Sequence, residues 1–185
     1  MHAWSGSLVA SLLAAAAAAN APPGPRGELV ELQVAGVVPL DPESGSLLVL
    51  RQKGTSTVLP IFVGRSEGLA LEQRLKRGPP RRPGTVELLE RAITALGGRV
   101  TRVALDGEQS ALLRARVTLE QGARRLELDA RPSDSVGLAV ATGAPIFATR
   151  QVLAEAGITP ADLARLRAGQ APSSTDSGAG SKLSF

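Results

Sequence analysis

Short alternating apolar runs, each closed by a turn signal, constrain this chain most. Residues 29–38, 47–51, 57–63, 99–105, 111–119 and 124–130 alternate well enough to read as strands with one face buried. Asp41-Pro42-Glu43-Ser44-Gly45, Gly54, Asp106-Gly107 and Gln121-Gly122 stand between successive runs. A parallel pair needs a crossover of about a dozen residues, so strands this close in sequence pair as antiparallel hairpins.

Between the two sets of strands the period changes. Residues 65–77 place Leu69, Leu71 and Leu75 near helical spacing, and Gly78-Pro79-Pro80 ends that helix. Thr85 can cap a second helix that carries Leu88, Leu89, Ala92, Ile93 and Leu96 on one face, closed by Gly97-Gly98. After Pro132, Ser133 can cap a helix running through Ala141, with Gly143 as its stop. Ile146-Phe147-Ala148 reads as a short strand, and Thr149 and Thr159-Pro160 as caps of two last short helices. The order βββ-αα-βββ-α-β-αα predicts an α+β fold, a mostly antiparallel sheet with helices packed against it.

Composition removes several kinds of chemistry. The chain has no cysteine, which excludes disulfides, thiolate nucleophiles and Cys-ligated zinc. Its one histidine is His2, close to the N-terminus. The predicted domain therefore lacks imidazole, and Ser-His-Asp catalysis and His-based zinc hydrolysis drop out with it. Hydrolysis by this chain must rest on carboxylates, on Arg or Lys, and on a hard metal ion. Trp4, Phe62, Phe147 and Phe185 are the whole aromatic set, too few for a base-stacking platform. The net charge of +4 has its counterpart in residues 65–82, where six basic residues face two acidic ones. Such a patch attracts phosphates, or is simply a solvated helix end with its loop.

Three segments follow from these patterns: 1–27, 28–168 and 169–185. Residues 8–19 form an apolar run broken only by Ser11, followed by a small-x-small site at Ala19-Asn20-Ala21. That matches a secretory h-region of about 7–15 residues and is too short to span a membrane. The expected location is secreted or periplasmic if this leader is genuine, and cytoplasmic otherwise; no Lys or Arg precedes the run. Residues 169–185 are rich in Gly, Ser, Ala and Pro and read as a disordered tail.

The most chemically loaded stretch is Asp129-Ala130-Arg131-Pro132-Ser133-Asp134. Asp129 and Arg131 lie two apart at a strand end, so their side chains are expected on one face. A strand-to-helix junction also offers free backbone N–H groups and the positive end of a helix dipole. Carboxylates, a guanidinium and that helix end can hold Mg²⁺ or Mn²⁺ beside a phosphate. The competing reading is structural: Ser133 and Asp134 cap the helix, and Arg131 pairs with Asp129 or Asp134. Glu67 and Glu87, each in the first turn of a helix, are further candidates with the same alternative.

Three blocks carry a resemblance. Leu59-Pro60-Ile61-Phe62-Val63-Gly64-Arg65-Ser66-Glu67 is similar to an LPIWIG-x-x-E block, and Pro80-Arg81-Arg82-Pro83-Gly84-Thr85 to a PPRPLTHDL region. The stretch 129–134, with its Ala/Leu helix and Gly143-Ala144-Pro145-Ile146, resembles a DARPSDAIALAL…GAPI signature. The chain thereby resembles the bifunctional nuclease family over about residues 28–158. The resemblance implies an α+β domain, homo-oligomeric in its usual form, credited in some members with cleaving DNA and RNA, and it implies Glu67, Asp129, Arg131, Ser133 and Asp134 as the site. Taken with the local chemistry, Glu67, Asp129, Asp134 and Glu87 are the expected catalytic groups, and Glu67, Asp129 and Asp134 the expected ligands of a divalent Mg²⁺ or Mn²⁺. Arg131, Ser133, Arg81 and Arg82 would bind nucleic acid. The chain reads Val86-Glu87 where the resembled block often reads His-Asp. If that imidazole is a base or ligand, what remains is a weakened nucleic-acid-binding or protein-interaction module.

Overall fold

A computed structural model describes residues 27–40, 45–107 and 113–168. The leader-like segment up to residue 26, the tail 169–185, most of the predicted 41–45 turn, and residues 108–112, which include the start of the predicted 111–119 strand, lie outside the described residues, while the predicted Asp106-Gly107 turn is the end of a strand. Seven strands form one sheet: β1 (Leu29–Pro39), β2 (Ser46–Gln52), β3 (Val58–Val63), β4 (Arg99–Gly107), β5 (Leu113–Gln121), β6 (Arg124–Ala130) and β7 (Ile146–Thr149). The order across the sheet is β3-β2-β1-β7-β4-β5-β6. Every neighbouring pair is antiparallel except β4 with β7. The expected α+β fold with a mostly antiparallel sheet is what forms.

Five helices complete the described chain: α1 (Arg65–Arg77), α2 (Thr85–Ala95), α3 (Pro132–Thr142), α4 (Arg150–Ala156) and α5 (Pro160–Arg167). None of the described helices is long and apolar enough to cross a membrane. The main core lies on one sheet face, where Leu48, Leu50, Ile61, Val103, Leu105 and Val117 meet Leu71, Val136, Leu138 and Val152. On the other face a smaller cluster joins Val38, Leu47, Val49 and Val58 to Ile158, Leu163 and Leu166. A register shift between Val34 and Gly36 lets β1 serve both clusters, because the extra residue puts Val34 and Val37 on the same face.

The helix stripes differ from the sequence expectation. Leu71 is buried, but Leu69 and Leu75 are exposed. On α2 the core contacts come from Val86 and Ile93, while Leu88, Leu89 and Leu96 face solvent. α2 sits near the margin of the core, so only a narrow stripe is covered. The caps also move. Gly84, not Thr85, is the N-cap of α2, and Arg131, not Ser133, is the N-cap of α3. Pro132 takes the first helical position because its fixed φ suits it and no donor is lost there.

Candidate functional site: an arginine between two carboxylates

α1 and α3 lie side by side and run in the same direction. Glu67, Leu71 and Arg74 share one α1 stripe by their spacing of four and then three residues. At the start of the stripe Glu67 Oε1 lies 3.8 Å from Arg131 Nη2. At its end Arg74 Nη2 donates to the carbonyl of Ala141, 2.9 Å away, in the last turn of α3. Between them Leu71 packs over Gly137, where an added Cβ would meet Leu71 Cδ2 at 3.8 Å. Two helix N-termini therefore stand together, each with its positive dipole end toward the same region.

Arg131 is the centre of that region. Its Nε donates to Asp134 Oδ2 at 2.7 Å and its Nη2 to Asp134 Oδ1 at 3.1 Å, a two-pronged pairing. The hydrogen bonds to Asp134 hold the guanidinium above its ordinary pKa; the charge of Asp134, and more weakly that of Glu67, act in the same direction. Arg131 therefore stays cationic throughout. It is well exposed, at 69% of its side-chain surface, and so reachable by a solute. Ser66 Oγ donates to Glu67 Oε2 at 3.2 Å. Ser133 is half-buried in the first turn of α3, and Ser135 Oγ donates to the carbonyl of Arg131 at 2.9 Å, fixing the junction.

Asp129 does not join this group. On β6 it pairs with Arg116 of β5, on the face opposite Val117 and the main core, and its carboxylate lies 3.6 Å from Arg114 Nε. The expectation that Asp129 and Arg131 share a face fails because the strand ends at Ala130. The chain then turns Arg131 toward α1. Glu87 lies elsewhere too. Its Oε2 accepts from the backbone N–H of Gly84 at 3.0 Å, and its Oε1 is 3.6 Å from Arg74 Nη1. It thus completes the start of α2, as the structural alternative held.

These placements bear on the metal. Among the described residues no three acidic or histidine side chains are grouped to hold a cation. Of the three carboxylates expected to ligate one, only Glu67 and Asp134 come together, and both face Arg131.

Arg81 and Arg82 are exposed in the 78–84 loop. With Arg74, Arg77 and Glu87 they line a cleft of about 560 Å³ at the far end of α1. From Glu67 to Arg77 the helix axis advances about 15 Å. In the sequence Arg74 is one of six basic residues of the 65–82 patch, and Gly137 carries no signal of its own. Only the four-three spacing of Glu67, Leu71 and Arg74 could have marked the interface.

Fold and site define an α+β domain whose exposed arginine, flanked by two acids, stands where two helices begin. The chain belongs to the bifunctional nuclease domain family, matched over residues 48–161. Strand β1, central to the sheet, lies outside that match. The chain is also similar to two proteins of Mycobacterium tuberculosis, from strains CDC 1551 / Oshkosh and H37Rv, both named as uncharacterized. Each is 34% identical over 128 residues, covering 69% of this chain and 76% of the relative.

Proposed function

We propose that this domain hydrolyses phosphodiester bonds in DNA or RNA with little sequence preference. The observation that carries the reading is Arg131, permanently charged and exposed, between Glu67 and Asp134 at two converging helix N-termini. A guanidinium with two dipole ends beside it favours a phosphate. On binding, the phosphate oxygens replace the carboxylates as acceptors for Arg131. Glu67, released and still close, then takes a proton from the attacking water as its oxygen bonds to phosphorus, while the P–O bond to the leaving sugar oxygen breaks and that oxygen takes a proton from solvent. Mg²⁺ commonly uses one or two protein carboxylates plus substrate oxygens, so Asp134 and one oxygen of Glu67 would hold such an ion, leaving the other Glu67 oxygen toward the water, and the ion would stabilise the leaving oxygen. Arg81 and Arg82 hold the nucleic-acid backbone farther along. About 15 Å along α1 separates Glu67 from Arg77, some four nucleotides at roughly 3.4 Å each.

The second reading is a nucleic-acid-binding module without hydrolysis, and Val86 favours it. Where the resembled family block often reads His, Val86 is half-buried against the core, its Cγ2 3.6 Å from where a Gly137 Cβ would stand. Purified protein, with Mg²⁺, Mn²⁺ or EDTA, would be tested on plasmid DNA and single-stranded RNA beside Arg131→Ala and Glu67→Gln. Hydrolysis predicts that each variant loses about a hundredfold or more in rate. Equal cleavage by all three proteins sinks it. Salt-dependent retention of nucleic acid without products selects the second reading.

A further inference from the structure

The cleft at the far end of α1 holds more positive charge than the fold itself uses. Arg74, Arg77, Arg81 and Arg82 line it together with one acid, Glu87, which leaves four guanidinium groups against one carboxylate, a net +3. Among the described residues no ion pair or side-chain hydrogen bond holds Arg77, Arg81 or Arg82. Arg74 spends Nη2 on the Ala141 carbonyl, while its buried Nη1 has no hydrogen-bond partner among the described residues. Glu87 Oε1, at 3.6 Å from that nitrogen, is too far to accept from it. A buried donor left in this state costs free energy that an incoming acceptor can recover. Ala70 and Gln73, exposed and uncharged, carry the same lining up α1 to within one turn of Glu67.

The loop that carries Arg81 and Arg82 is stiff. Pro79, Pro80 and Pro83 each fix their own φ, and each restricts the residue before it. Within residues 78–84 that leaves Arg81 and Gly84 alone unrestricted. Ordering such a segment around a ligand costs little, so its charges stand ready for a small, highly charged guest. A guanidinium presents a fork of donors that fits phosphate. A phosphodiester inside a strand brings a single negative charge. A phosphate monoester at a strand end brings about 1.5 to 2 at pH 7, with three strong acceptor oxygens, and comes closer to the surplus here. We infer, building on the nucleic-acid role proposed above, that this cleft seats the terminal phosphate monoester of a DNA or RNA strand. The strand then runs back over Gln73 and Ala70 to Arg131. About 15 Å along α1 separates Arg77 from Glu67, so the phosphodiester delivered to Arg131 is about the fourth from the seated end.

The test measures binding apart from cleavage, with the full chain in EDTA. Short single strands, labelled internally and ending in a 5′-phosphate, a 3′-phosphate or hydroxyls only, are titrated by fluorescence anisotropy. At least one phosphorylated strand should bind about tenfold tighter than the hydroxyl-ended strand, and which one it is reports the direction of the strand. Arg81→Gln combined with Arg82→Gln should bring that ratio to about one, with far-UV circular dichroism confirming the fold. Arg131→Ala, at the other end of α1, should keep the ratio. Equal affinity for all three strands, or a preference that survives the loss of both loop arginines, overturns the inference. With Mg²⁺ or Mn²⁺ added, products should cluster at about four nucleotides from the seated phosphate, and products of scattered length overturn it too. An end preference without cleavage upholds the cleft and sinks the hydrolase reading; cleavage without an end preference does the reverse.

Discussion

Two helix-interior glycines should respond to alanine with opposite signs. Gly137 lies in α3, and an added Cβ would meet Val86 Cγ2 at 3.6 Å and Leu71 Cδ2 at 3.8 Å, ordinary contact distances. Gly137→Ala gains about 0.8–1 kcal/mol of helix propensity, and a buried methyl adds up to about 0.8 kcal/mol. A net stabilisation of about 1–1.5 kcal/mol follows, or roughly 2–6 °C in Tm for a chain of this size. Gly68 lies in α1, where a Cβ would come within 2.7 Å of both Cβ and Oγ of Ser46. Ser46 is buried on β2, whose ladder to β1 and β3 resists a shift. Overpacking of this kind costs about 1–3 kcal/mol against that propensity gain, and contacts as short as 2.7 Å put the cost at the upper end, so Gly68→Ala should lose up to about 2 kcal/mol. Urea denaturation with constant m-value measures both. Replacing Ser46 by Gly in the Gly68→Ala background should recover part of the loss, with a coupling near 1 kcal/mol. If Gly68→Ala stabilises as much as Gly137→Ala, the close approach of α1 to the sheet is refuted.

Arg74→Met removes a charged donor from the Ala141 carbonyl and leaves half-buried Glu87 without its cation, and should destabilise by about 2 kcal/mol. Chemical denaturation of Arg74→Met, Glu87→Gln and the double variant should show a combined loss smaller than the sum; additivity would separate the two roles. Glu28 is held below its ordinary pKa of 4.5 by its hydrogen bonds to Arg150, which pin the start of β1 to α4. A depressed carboxylate contributes stability that is present above 4.5 and lost as pH falls through the folded value. Urea midpoints measured across this range should therefore show wild type converging on Glu28→Gln in acid. A constant gap would count against the pair.

The candidate site was legible in part. Local order fixed Asp134 and Arg131 together, since a bidentate pair three residues apart across a helix start needs no distant partner. Glu67 could be listed as an acid in a first turn, but its place beside Arg131 depends on α1 lying parallel to α3. Asp129 was read as converging from a strand period that ends one residue too early. Glu87, in the first turn of α2, was readable as a helix-start acid as well as a catalytic one, and in the fold it accepts from the Gly84 N–H and lies beside Arg74.

The amino-acid order alone determined the strand and helix sequence, the antiparallel hairpins, the family and the exclusion of thiol and imidazole chemistry from the domain. Those follow from near-neighbour periodicity, turn residues and composition, which act within a few residues. Tertiary packing decided that β7 slips between β1 and β4, that two helices present their N-termini to one arginine, and that β6 is left as a bare edge. Each depends on contacts between residues tens of positions apart. Their energies come from burial across the whole sheet, and no local pattern records them.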